Sequence, residues 1–119
     1  MASYRDLKVY EKAYALALEI YQTTDSLPKE EQYGLKSQIR RASVSIPLNI
    51  AEGYGKMGGK KETGRYLGMA RGSCCEMEVL VELMKDLGYW QEESYQRFVR
   101  GYGEVGKMLA GLIRTTTDN

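Results

Sequence analysis

Between Tyr33 and Tyr54, in the stretch YGLKSQIRRASVSIPLNIAEGY, apolar or small residues recur three and four apart: Leu35, Ile39, Ala42, Ile46, Ile50 and Gly53. An α-helix places such positions on one face, because 3.6 residues complete a turn. A helix of this kind is stabilised mainly by covering that face, so the stripe demands packing partners. It also runs past Pro47. Proline cannot donate to the carbonyl of Ser43, and its ring crowds that turn, at about 3 kcal/mol if nothing compensates. Apolar spacing kept on both sides of Pro47 predicts one bent helix rather than two separate ones.

Three further segments carry the same period. In the first, from about Asp6 to Thr24, Tyr10, Ala13, Ala17, Ile20 and Thr24 form the stripe, widened by Val9, Leu16 and Tyr21. Ser3 or Asp6 suits its cap, and Ser26-Leu27-Pro28 stops it. A short turn at Pro28–Gln32 leads into the second helix. After a glycine-rich basic loop at 55–59, Lys60 or Lys61 opens the longest helix, which runs to about Leu87. Its stripe is Leu67, Ala70, Cys74, Met77, Val81 and Met84, with Leu80, Leu83 and Leu87 as a second apolar row. Gly88 fits the left-handed residue that ends a helix. From about Gln91 to Arg114, Tyr95, Phe98, Tyr102, Val105, Leu109 and Leu112 repeat every seven residues, and Thr115–Asn119 reads as a fraying tail. No stretch alternates as a strand does. The expected fold is all-α: one domain over residues 1–119, an antiparallel up-down-up-down four-helix bundle with coiled-coil-like packing and crossings of about +20°.

Size and charge restrict the function. A chain of 119 residues supports one core, and its formal charge of +1 gives no global attraction to nucleic acid or anionic membrane. The charge is uneven, however. Residues 36–71 hold eight basic and two acidic side chains, a net of +6, whereas residues 72–104 carry −4. The longest apolar run, Ala13 to Leu18, is too short for a bilayer, and the first residues lack a signal-like apolar core. The adjacent Cys74 and Cys75 point about 100° apart on a helix and are poorly placed to bridge each other, which suits a reducing compartment. A soluble cytoplasmic protein is expected.

Chemistry has few candidates. With no histidine in the chain, the usual base for a serine or cysteine nucleophile and the commonest metal ligand are missing. Gly53-Tyr54-Gly55-Lys56-Met57-Gly58 spells the dinucleotide pattern G-x-G-x-x-G. That motif needs a preceding strand to set the pyrophosphate on a helix N-terminus, and here a helix precedes it. Gly59-Lys60 resembles a phosphate loop only in part, since Tyr54 stands where the first glycine belongs. Cys74 lies on the apolar stripe and reads as a core residue. The expectation is therefore no catalytic residue, no cofactor and no metal.

Two charged groups stand out. Lys56, Lys60, Lys61 and Arg65 cluster at the loop and the start of the third helix, where backbone donors and the dipole favour phosphate, and Tyr54 and Tyr66 offer stacking surfaces. They are candidate nucleic-acid contacts, although a lysine run is most simply a solvated face. Arg40 and Arg41 flank the core stripe and are expected in structural ion pairs with Glu52, Glu76 or Glu78, in the same or a neighbouring subunit. Glycines are a further anomaly. Gly64, Gly68 and Gly72 recur every four residues in the third helix, and Gly101, Gly103, Gly106 and Gly111 interrupt the fourth. Each costs roughly 0.5–1 kcal/mol against alanine, so close helix approach within the bundle, or between subunits, is expected to offset them.

At YGLKSQIRRASVSIPLNIAEGYGK the sequence resembles the 23S rRNA intervening-sequence proteins, and the likeness extends to YRDLKVYEKA, YLGMARGSCCEMEVLVEL, LGY at Leu87–Tyr89 and KMLAGLI. It resembles more distantly the accessory variability protein of diversity-generating retroelements. The resemblance implies an all-α bundle assembling as a ring-like homopentamer, without enzymatic activity and with an undefined role. Association with RNA follows only from the genomic context of the family, and a nucleic-acid-processing partner only from the basic surface of the accessory protein. The second apolar row of the third helix and the ten tyrosines point independently to self-association. Expected, then, is a non-enzymatic oligomeric scaffold, with weak, largely sequence-independent RNA binding as the alternative.

Overall fold

Capping and turn chemistry set the helix ends. The computed structural model describes residues 3–56 and 58–117. Ser3 and Asp6 form a reciprocal capping box around a 3-10 turn at Tyr4–Asp6, so the first helix, α1, begins at Lys8 and runs to Thr24. A second 3-10 turn, Lys29–Glu31, follows Pro28. Helix α2 spans Leu35–Gly55 and passes through Pro47 without a break. Near the proline, the Asn49 side-chain amide donates to the carbonyl of Ser45 at 2.8 Å. Helix α3 covers Gly59–Asp86; Gly59 has φ +83°, so right-handed backbone starts at Lys60. At its other end Gly88, also at φ +83°, lets Tyr89 donate to the carbonyl of Met84 and Gly88 to that of Lys85, closing the helix with a left-handed cap. Helix α4 is Glu92–Thr115.

Each helix packs on two neighbours: α2 on α1 and α3, α4 on α3 and α1. The short connections leave sequential helices antiparallel, and the four form an up-down-up-down bundle of 46 × 22 × 21 Å. Glu31 joins two corners of it. One carboxylate oxygen accepts from the amide of Leu35 at the start of α2, and the other accepts from the hydroxyl of Tyr89 at 2.8 Å, which holds the Tyr89 pKa above its usual value.

The periodic stripes are the core. Leu35, Ile39, Ala42, Ile46 and Ile50 are buried, as are Leu67, Ala70, Cys74, Met77, Val81 and Met84 opposite them. Trp90, Phe98 and Tyr102 stack in succession, with ring centroids 4.7 and 6.4 Å apart. Two expectations fail at the rim. Tyr21 does not widen the buried α1 stripe but stands 43% exposed, and the second α3 row divides: Leu80 is buried, whereas Leu83 and Leu87 are exposed. A square bundle gives each helix only two neighbours, so its apolar arc cannot be covered beyond them.

The glycines also divide. A Cβ at Gly53 would lie 3.1 Å from that of Tyr66, and one at Gly101 would lie 2.8 Å from Leu16 Cδ2; both mark close crossings inside the bundle. At Gly68, Gly72 and Gly103 an added Cβ meets nothing within 4 Å among the described residues. Close packing within the chain therefore does not explain these three.

Candidate functional site

The α2–α3 corner brings together the basic residues singled out in the sequence, but it neutralises half of them. Lys56 Nζ is 3.2 Å from a Glu52 carboxylate oxygen and 2.9 Å from the Tyr66 hydroxyl, and these partners raise its pKa. Arg65 grips Glu62 with two bonds of 3.1 Å each, which stabilises both charges: the arginine pKa rises and that of Glu62 falls. Both cations lie over the Tyr66 ring, 5.1 and 4.5 Å from its centroid, so Tyr66 is engaged rather than free for a base. Tyr54 is half-buried against the core. Lys60 and Lys61 remain exposed, with no carboxylate within 4.0 Å among the described residues.

Arg40 turns toward α1, not α3. Its Nε donates to Thr24 Oγ1 and its Nη2 to the carbonyl of Tyr21, both at 2.9 Å; the guanidinium covers the Tyr21 ring, and its nearest carboxylate is Asp25 at 4.0 Å. The expected partners Glu52, Glu76 and Glu78 are thus not used within the chain. The reason is angular: Arg40 lies on the α1 side of α2, while Glu76 and Glu78 belong to α3, and Glu52 is held by Lys56. Arg41 reaches only Ser37, at 3.4 Å, although it lines a cleft of about 500 Å³ with Glu76 between α2 and α3. Ser45 and Ser73 hydrogen-bond across the same seam.

Cys74 is a core residue, as its position suggests. Its thiol donates to the carbonyl of Tyr102 at 3.1 Å, and burial pushes its pKa up to about 12, away from thiolate chemistry. Cys75 is exposed.

One surface was not singled out in the sequence. Along the α1–α2 seam Tyr14, Leu18, Tyr21, Val44 and Leu48 border a groove of about 260 Å³ with Pro47 in its lining. Its signal was present: Tyr14, Leu18 and Tyr21 repeat four and three apart, as do Val44, Leu48 and Ala51, each beside the core stripe. The seam continues toward the start of α2 as a wider depression of about 550 Å³ lined by Lys36, Arg40 and Arg41.

The family model for 23S rRNA-intervening sequence proteins matches residues 5–111. The chain belongs to this family. As a 23S rRNA-intervening sequence protein it shares its fold with a crystallographically determined protein of unknown function from the S23 ribosomal protein family of Bacteroides thetaiotaomicron. That similarity has a TM-score of 0.81 at 23% identity and covers 89% of this chain and 95% of the other. No curated protein matches the chain. The match to the family begins within the capped 3-10 turn and ends inside α4, so it embraces the groove, the α2–α3 corner and the core together. None of the described helices is long and apolar enough to cross a membrane.

Proposed function

We propose that this protein is a non-enzymatic cytoplasmic scaffold that assembles with copies of itself. One observation carries the reading. Of the ten large apolar side chains exposed by 38% or more among the described residues, nine lie on α1, on α2 or just before it, or on α3 or its C-cap: Tyr14, Leu18, Tyr21, Tyr33, Leu48, Met69, Val79, Leu83 and Leu87. Helix α4 contributes only Val99 and otherwise turns Gln96, Arg97, Arg100, Glu104 and Lys107 to solvent. Apolar surface segregated in this way is what association would cover. Five copies is the number that the family resemblance implies. Light scattering after size exclusion tests the reading: a mass several times 13.5 kDa is expected, five times for the pentamer, and a monodisperse 13.5 kDa species overturns it.

RNA binding is the second reading, and the exposed pair Lys60 and Lys61 at the start of α3 favours it. Their contribution would be electrostatic and blind to sequence. Retention on single-stranded RNA should fall as salt rises, and should be lost in the variant with Lys56, Lys60, Lys61 and Arg65 changed to Gln. Retention that ignores both changes would exclude this surface.

A further inference from the structure

The cleft between α2 and α3 has walls of opposite charge that do not touch. Tyr33, Ser37, Arg41 and Ser45 recur every four residues and line its α2 side together with Gln38, and Glu76 lines its α3 side. The hydrogen bond between Ser45 and Ser73 fixes the register of the two walls. Because α2 and α3 run antiparallel, the residue one turn before Ser45 faces the residue one turn after Ser73, which sets Arg41 opposite Glu76. Neither forms an ion pair within 4.0 Å among the described residues, and Arg41 reaches only the Ser37 hydroxyl, at 3.4 Å. Elsewhere the same seam has no such space, since a Cβ at Gly53 would lie 3.1 Å from that of Tyr66. The opening is thus local, and its volume of about 500 Å³ suits a small ligand. Its rim is anchored. The Glu31 carbonyl accepts from the Gly34 amide at 3.1 Å, while its carboxylate accepts from the Leu35 amide and the Tyr89 hydroxyl, so the segment carrying Tyr33 is held at both corners.

We infer that this cleft binds a free α-amino acid as its zwitterion, with the carboxylate on Arg41 and the ammonium on Glu76. Such binding needs neither self-association nor RNA. A simple anion such as phosphate would gain Arg41 but face Glu76, and a simple cation would meet the reverse. A ligand carrying both charges is the one that both walls attract. The guanidinium takes a carboxylate through two parallel bonds, and Glu76 accepts from an ammonium. Ser37 and Ser45 offer hydroxyls, and Gln38 an amide, for the lone pairs and protons that remain. Holding the walls apart costs the free protein little, because an exposed ion pair contributes little to stability, and the ligand has no pair to break. Tyr33 stands at the rim, 94% exposed. Its ring is the surface that an aromatic or aliphatic side chain of the amino acid would cover.

Equilibrium dialysis of the full chain against radiolabelled L-phenylalanine, and separately against L-leucine, tests the site. Saturable uptake of one molecule per chain is expected. N-acetyl-L-phenylalanine lacks the ammonium and L-phenylalaninamide lacks the carboxylate. Each should compete at least about tenfold less well than L-phenylalanine, the loss that follows when one charged partner of a hydrogen bond is removed. Arg41→Gln and Glu76→Gln should each weaken uptake by a similar factor. Both side chains are exposed, and far-ultraviolet circular dichroism checks that the variants fold. If a variant does not fold, the competition series on the wild-type protein decides alone. Absence of saturable uptake of both amino acids overturns the site, as does equal competition by the two capped forms. Undiminished uptake in either folded variant places the binding elsewhere and overturns it as well.

Discussion

Arg40 Nε lies 2.9 Å from the hydroxyl of Thr24, a side chain with no solvent exposure that itself donates to the carbonyl of Ile20 at 2.6 Å. The arginine thus closes a short polar chain across the α1–α2 seam, and its second bond, to the Tyr21 carbonyl, satisfies an acceptor near the end of α1. A cation there also suits the negative end of the helix dipole. The guanidinium does for the bundle what an internal ion pair would have done, with hydroxyl and carbonyl acceptors in place of a glutamate.

Replacing Arg40 with Met should therefore destabilise the fold by about 1.5 kcal/mol, the lower range for bonds to a charged donor, because the head group is partly exposed. Arg40→Lys should recover little of this, since one ammonium cannot reproduce the fork that reaches both acceptors. Urea unfolding at neutral pH measures both. Equal stability of Arg40→Met and wild type would show that water replaces the arginine without loss.

The glycines give a paired prediction with opposite signs. Gly101→Ala places a Cβ 2.8 Å from Leu16, in the buried α1–α4 crossing, and should cost about 1–3 kcal/mol. Gly103→Ala adds a methyl to open space and should stabilise by about 0.5–1 kcal/mol through helix propensity alone. Thermal melts of the two variants check the contrast.

Alkaline pH should unfold the protein from within. Cys74 has its pKa raised from 9.0 to about 12 by burial, and burial also raises that of Tyr102. An acid whose folded pKa is raised favours folding while protonated. The stabilising contribution of Cys74 is complete below about pH 9 and is lost as pH climbs toward 12. Stability should hold level through neutral pH and decline above about 9, and Cys74→Ala should flatten part of that decline. A thiol reagent at pH 8 should titrate one sulfur in the native protein, Cys75, and two in denaturant.

Pro47→Ala supplies the amide that α2 lacks at that turn. The substituted helix should straighten, with position 47 donating to Ser43, and a crystal structure of the variant decides it. An unchanged helix axis would show that the wild-type helix carries no bend there.

What could be read from residues alone was periodic. The stripes at Tyr10–Thr24, Leu35–Ile50, Leu67–Met84 and Tyr95–Leu112 specified four helices and most of their buried faces, and Gly88 specified a cap, because the 3.6-residue period and the left-handed backbone of glycine act locally. The buried, unreactive Cys74 followed from the same register. The charged residues were less legible. The pairs Glu52–Lys56 and Glu62–Arg65, four and three residues apart, follow from helical spacing, but nothing in the order of residues says that Arg40 bonds to Thr24 and Tyr21 of α1 or that Arg41 reaches only Ser37. Those outcomes depend on the rotation of each helix against two neighbours, where one residue's step of about 100° moves a side chain from one seam to the next.

The sequence by itself determined that this is an all-α bundle of four amphipathic helices, since each stripe must be buried and the connections are short. Only the tertiary structure decided which apolar residues remained outside. Val79, Leu83, Leu18 and Leu48 are as apolar as their buried neighbours, but a square of four helices covers only the arc of each that faces inward. The groove on α1–α2 and the exposed side chains of Val79 and Leu83 on α3 are what that geometry leaves uncovered.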